Sequence, residues 1–195
     1  MTATPPRAIA LYGGSFNPPH VVHVMTVAYL RAVLPDHQVW VTPTYQHAFG
    51  KHLTAFEHRL HMAQLAFATT DPYVVVSDLE ATLGGESRTI RLVDALDARY
   101  PELPLTLVVG SDILPELPRW LEVERLLARV NLFVLRRAGF PCDDPRTRGP
   151  AFPQLSSSEI RQRIATAGTE PCRDLIPRAV LNHIEAHRLY GSTSS

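Results

Sequence analysis

Two histidines, His20 and His23, close the string Gly13-Gly14-Ser15-Phe16-Asn17-Pro18-Pro19-His20-Val21-Val22-His23. Three residues apart on a helix, they project from one face of its first turn. Gly13 and Gly14 carry no side chain, so the backbone there turns sharply and approaches a ligand closely. Pro18 and Pro19 suit a helix start, where amides have no internal partner. Imidazole donors, free amides and the positive end of a helix dipole together suit phosphate oxygens. Two plainer readings compete. One is a strand-to-helix connection with surface histidines. The other is a metal pair, but no acidic or cysteine ligand stands nearby to complete a tetrahedral set, and no metal site is assigned.

A second group lies far along the chain. Ser156-Ser157-Ser158-Glu159-Ile160-Arg161 places hydroxyls and amides at a helix start, with a guanidinium one turn further on. That combination suits a triphosphate; taken alone it is also an ordinary N-cap followed by a surface arginine. Lys51 stands in a loop as a cation able to close over phosphates, or as a solvated lysine. Gly110-Ser111-Asp112 follows an apolar run; Asp112 can accept from a ribose or base, help hold Mg²⁺, or cap the next helix. Trp120 stacks on an aromatic ring or belongs to the core. Arg136-Arg137 is a basic pair, and His52, His58, His61, His183 and His187 read as surface residues.

These groups need a frame to bring them together. Ala8–Tyr12, Gln38–Thr42, Tyr73–Val76, Leu105–Val109 and Asn131–Leu135 are short apolar, β-branched runs of the kind that form buried strands. Helical patterns alternate with them: 20–34, a helix opened by a Thr54–Glu57 capping box and running to Thr69, one from Ser87 to near Arg99, short pieces at 113–117 and 122–129, then 159–166 and 177–189. Residues 138–154 mix Pro, Gly, Arg and Asp and read as a long surface loop, and the tail from Gly191 reads as frayed. The expected fold is α/β: a Rossmann-like doubly wound parallel sheet of about five strands with C-terminal helices, a single domain over 1–195. Such sheets bind ligands outside the carboxyl ends of their strands. His20 and His23, Lys51, Asp112 and Arg137 all follow strand ends and converge on one rim.

Bulk properties narrow the classes. The 195 residues are 45% hydrophobic and 19% charged with zero formal net charge, so no global basic field points to nucleic acid or an anionic membrane. Two cysteines without metal spacing fit a reducing cytoplasm. No apolar run reaches the ~20 residues of a membrane span, and the N-terminus lacks a signal-peptide core. Composition says nothing on oligomeric state and leaves room for a homo-oligomer.

The first string resembles the G-[ST]-F-[DN]-P-[PV]-H-x-G-H signature of the nucleotidyltransferase superfamily, with Val22 where Gly is usual, and fits neither the G-x-G-x-x-G nor the P-loop pattern. Leu155-Ser156-Ser157-Ser158-Glu159-Ile160-Arg161 is similar to its I-S-S-T-x-I-R. Class I aminoacyl-tRNA synthetases share the histidine motif, but their K-M-S-K-S string is absent. In the middle, Glu80 with Ser87-x-Thr89, Gly110-x-Asp112, Leu117-Pro118-x-Trp120 and Arg137-Ala138-Gly139 resemble the bacterial nicotinate mononucleotide adenylyltransferases, with Arg88 in place of Tyr and Thr44–Lys51 in place of an N-x-P-P-H-K loop.

The resemblance implies transfer of AMP from ATP, with Mg²⁺, to nicotinate mononucleotide. It implies catalytic roles for His20, His23, Lys51 and Arg161. ATP would meet Gly13, Gly14, Ser15, Phe16, His20, His23, Gly110, Asp112, Ser156, Ser157 and Arg161. The mononucleotide would meet Ser15, Lys51, Thr89, Trp120 and Arg137, with Trp120 on the pyridine ring. Arg88 as an extra cation near that ring favours the carboxylate. Nicotinamide mononucleotide, pantetheine phosphate or a non-catalytic nucleotide module are the alternatives.

Overall fold

The computed structural model describes residues 6–46, 53–68 and 71–192; Lys51 lies outside them. Six parallel strands form one sheet in the order β3-β2-β1-β4-β5-β6: β1 Ala8–Gly14, β2 His37–Pro43, β3 Val74–Val76, β4 Leu105–Gly110, β5 Val130–Arg137 and β6 Thr147–Phe152. The chain winds outward through β1, β2 and β3, returns to β4 beside β1, then winds the other way. The winding reverses between β1 and β4, so their carboxyl ends, Gly13-Gly14 and Gly110, flank the switch point.

Strand alternation builds two cores. Ile9, Leu11, Trp40, Leu105, Leu107 and Val109 point to one face, where α4 (Thr89–Arg99) and α5 (Val123–Arg129) contribute Ile90, Val93, Leu96 and Leu126. Ala10, Val39, Val41 and Val108 point to the other, where α1 (Val21–Val33) contributes Val22, Val27 and Leu30. A third cluster joins α2 (Phe56–Ala66), α6 (Ser157–Ala167) and α7 (Arg178–Ala186) through Met62, Ile160, Ile164, Val180 and Ile184. This layer carries the second phosphate-type motif back toward the first.

The departures from expectation have local causes. There is a sixth strand, β6, inside the stretch expected to be a loop; its Gly149 and Pro150 mask it, and both are tolerable only because it is an edge strand. The Thr54–Glu57 capping box does not form: the N-cap is Ala55, and the Thr54 carbonyl instead accepts from Arg59 Nε. Helix α2 ends at Ala66 and α7 at Ala186, each short of the expected end, and a short helix, α3 (Leu79–Leu83), lies between β3 and α4, where no element was expected. Residues 113–117 form no α-helix; 3₁₀ turns at Ser111–Ile113 and Leu117–Arg119 replace it. Ser192 is not frayed but buried, donating to the Ile184 carbonyl. His61 and His187 are exposed, as expected of surface residues, while His58 and His183 are half-buried where α2 packs against α7 and its C-cap His187.

Candidate active site

The ends of β1 and β4 and the start of α6 enclose a cleft of about 550 Å³. Two motifs some 140 residues apart meet there by direct bonds. Ser157 Oγ donates to the Pro18 carbonyl (2.8 Å), and Arg161 Nη1 donates to the Asn17 carbonyl (2.8 Å). The second guanidinium arm donates to Ser158 Oγ at 3.2 Å, and Tyr190 Oη donates to Asn17 Oδ1 at 2.9 Å. Ser156 caps α6 by accepting from the Glu159 amide at 3.1 Å. The amides of Ser157 and Ser158, at the first turn, have no acceptor within the helix.

His20 is the N-cap of α1, not a residue inside it. Its backbone amide donates to His23 Nδ1 at 3.1 Å. An amide only donates, so His23 Nδ1 is the bare nitrogen and its neutral ring carries the proton on Nε2. The rings stack at 3.7 Å with 22° between planes. Burial, joined by the Arg137 cation, pushes the His20 imidazole down to about 4. Burial, His20 and Arg137 hold His23 well below the ordinary histidine value. Both rings are therefore neutral hydrogen-bonding groups at physiological pH. The free helix amides expected here are partly spoken for: Val21 N–H donates to the Leu175 carbonyl at 2.9 Å. Anion attraction at this end rests on the imidazoles more than on the backbone.

Two buried polar atoms of cleft-lining residues, His20 Nδ1 and Arg137 Nε, have no hydrogen-bond partner among the described residues. Buried polar groups are almost always paired, and a charged one left unpaired is costly. Asp112 Oδ1, 3.8 Å from Arg137 Nε, is too far for a hydrogen bond. Gly110 makes that approach possible, since a Cβ there would collide with Asp112 Oδ1 and crowd Arg137 Cγ.

Arg59 of α2 holds the rim in shape and escaped notice in the sequence. It is 1% exposed. Its guanidinium donates to four carbonyls: Thr54 at 2.7 Å, Ser15 at 3.1 Å, Thr44 at 2.6 Å and Tyr45 at 3.1 Å. It thereby ties the loop after β1 to the loop after β2. A second knot lies beyond it. Glu80 accepts from the Tyr45 amide (2.9 Å) and from Ser87 Oγ, and burial raises its carboxyl against the lowering effect of those donors and of Arg59. Nothing in the residue types flagged Arg59, because its partners are backbone atoms; Glu80 and Ser87 were visible only through their resemblance to a known segment.

Gly13, Ser15, Phe16, His20, His23, Gly110, Asp112, Arg137, Ser156, Ser157 and Arg161 all line the cleft. Phe16 does so with its side chain 1% exposed and its φ at 46°, wedged edge-on to Tyr12, His23 and Phe67. Gly13 and Gly14 do not form the expected sharp turn but extend β1, paired with Thr42 and Pro43 of β2; Gly14 does not line the cleft, and a Cβ there would press on the Phe16 ring at 3.1 Å. Thr89, the first residue of α4, and Trp120, packed half-buried against the core of the opposite sheet face, also lie outside the lining. Arg88 donates to Glu86 at 2.6 Å, so this cation brings its own counter-charge. Val22 is buried in the core under α1, which explains how a side chain is tolerated where glycine is usual.

A 3-2-1-4-5-6 parallel sheet with an anion-suited cleft at its switch point defines a Rossmann-like nucleotide-binding protein. The chain belongs to the cytidylyltransferase-like family, which its residues 11–163 match. A relative from Myxococcus xanthus with the name "probable nicotinate-nucleotide adenylyltransferase" is 38% identical over 187 residues, covering 96% of each chain. One of the same name from Anaeromyxobacter dehalogenans is 42% identical, covering 94% of this chain and 97% of its own. The Plasmodium falciparum nicotinic acid mononucleotide adenylyltransferase complexed with NaAD superposes with a TM-score of 0.84 at 23% identity, covering 97% of this chain and all of that one. At that identity the likeness speaks for the fold.

Proposed function

We propose that this protein transfers the adenylyl group of ATP to the phosphate of nicotinate mononucleotide, giving nicotinate adenine dinucleotide and diphosphate. The observation that carries this is the pair of buried polar atoms with no hydrogen bond among the described residues, His20 Nδ1 and Arg137 Nε, at a cleft that the serine-capped start of α6 also lines. A polyphosphate can accept from the imidazole and from that helix start, while the guanidinium of Arg137 is left to the mononucleotide. The relatives at 38% and 42% identity supply the reading of the acceptor.

A mononucleotide phosphate is already an anionic nucleophile and needs no general base. One of its oxygens bonds to the α-phosphorus of ATP as the bond to the bridging oxygen breaks and diphosphate leaves with that electron pair. The protein aligns two anions and answers charge as it moves onto the leaving group. His20 and His23, as neutral donors, serve the α-phosphoryl; Arg161 and the Ser157 hydroxyl and amide serve the tail, and Lys51 adds a cation. Mg²⁺ arriving with ATP would supply further charge neutralisation, with Asp112 the lining residue that could help hold it. Asp112 is the single carboxylate among the described lining residues, which fits an ion carried mainly by phosphate and water. On the pyridine side we assign Ser15, Thr89, Trp120 and Arg137. The Arg88–Glu86 pairing keeps nicotinamide mononucleotide as a second acceptor, because it blunts the preference an unpaired cation would give.

Diphosphate release from ATP, measured with nicotinate mononucleotide, nicotinamide mononucleotide and pantetheine phosphate at matched concentration, tests the reading. Nicotinate mononucleotide is expected to turn over fastest. Release with pantetheine phosphate alone, or ATP binding without turnover on any acceptor, overturns it.

A further inference from the structure

Away from the cleft, the seam between α2 and α7 is lined by imidazoles. His183 stands in the last turn of α7 and His187 is the C-cap of that helix, four residues on, with the two ring centroids 4.1 Å apart. His58 Nδ1 lies 3.1 Å from His183 Nε2. One ring nitrogen from each of His58, His183 and His187 falls within 4.8 Å of the others. His61, one turn beyond His58, brings its ring to 4.8 Å from that of His183. None of the four lines the cleft.

We propose that His58, His183 and His187 form a binding site for a divalent transition-metal ion of the zinc, nickel and copper group, with His61 or water in the remaining position. Imidazole nitrogens suit these ions and not Mg²⁺ or Ca²⁺, which take oxygen. Nitrogens about 2.0–2.1 Å from a tetrahedral ion lie roughly 3.3 Å apart. The His58–His183 pair is already at 3.1 Å. The separations, all within 4.8 Å, need close by no more than about 1.5 Å to meet that geometry, a movement open to His187 because it is exposed. His187 is also prepared in its tautomer. Its Nδ1 lies 3.0 Å from the His183 carbonyl, which can only accept, so Nδ1 holds the proton and Nε2 keeps the lone pair a metal needs. A carbonyl partner on the second ring nitrogen is the usual support of a ligating histidine. An ion here would clip α2 to α7, and so tie the C-terminal layer to the helix that carries Arg59.

The test is Zn²⁺ titration of metal-free protein against a chromogenic chelator, repeated with Co²⁺ read by its visible absorption. Wild type is expected to bind a single Zn²⁺ and to give the visible band of nitrogen-ligated Co²⁺. His183→Gln and His187→Gln are each expected to weaken binding by about tenfold or more, and the double variant to lose it. Cys142→Ser, which removes the half-exposed thiol, is expected to bind as wild type does. Zn²⁺ is expected to raise Tm in wild type but not in the double variant. That variant should keep its metal-free Tm and its dinucleotide-forming rate, which separates lost binding from lost fold. No saturable binding by wild type, or equal affinity in wild type and the double variant, overturns the site.

Discussion

At the scale of single residues, the histidine pair acts through what it lacks. His20 is 2% exposed and its Nδ1 has no partner among the described residues, so protonating it in the folded state places a charge in a poor environment beside Arg137. Its folded pKa, about 4, lies below the ordinary 6.5. A depressed value means stability fully present above pH 6.5 and lost as pH falls through about 4. The share for His20 is about 3 kcal/mol across that window. His183, also pushed down to about 4, first by burial and then by His187, His61 and His58, slopes the same way. Glu80 runs oppositely, since its raised carboxyl stabilises below its ordinary 4.5 and loses that share as pH rises. The difference between wild type and His20→Gln isolates the imidazole. Urea denaturation across this range should show wild type losing about 3 kcal/mol more than the variant on acidification. Parallel curves would mean that His20 is not held neutral by its surroundings.

At the scale of elements, the rim is built by helices reaching over to loops. Arg59 of α2 holds four carbonyls from two loops and its own N-terminal approach. Arg59→Met should cost about 3 kcal/mol or more, since charged hydrogen bonds are worth about 1.5–3 kcal/mol each and some acceptors stay buried. It should also raise KM for both substrates, because the Ser15 and Thr44 loops lose their common anchor. A stability loss with unchanged KM would make Arg59 a fold residue alone. How much of this was legible in the sequence follows from who the partners are. The Ser156 cap acts through its own type and spacing and stands where its pattern predicts; the histidine pair also meets at the start of α1, but with His20 as its N-cap, and Gly13 and Gly14 extend β1 instead of turning. Arg59 bonds only to backbone, which leaves no trace in residue types. Strand β6 hides behind Gly149 and Pro150, acceptable at an edge and misleading elsewhere. The imidazole seam joins positions 58 and 183, a pairing that emerges only when α2 packs on α7.

At the scale of the whole molecule, the fold folds the C-terminal motif back upon the N-terminal one. The sheet reverses its winding between β1 and β4, and the α2–α6–α7 layer then carries Arg161 onto the Asn17 carbonyl. His20 and Arg161 should therefore behave as one unit, since loosening Arg161 from the Asn17 loop also loosens the turn that presents His20. The measurement that reaches this most directly is a double-mutant cycle on kcat for nicotinate adenine dinucleotide formation, using His20→Ala, Arg161→Ala and the pair. Removing a well-placed donor costs about 10²–10³ in rate, and each single variant should lose on that order while still unfolding cooperatively. The pair should lose clearly less than the product of the two losses, with a coupling of about 0.5–3 kcal/mol. Near-wild-type turnover in either single variant, or losses that simply multiply, would contradict a shared site built by the two ends of the chain.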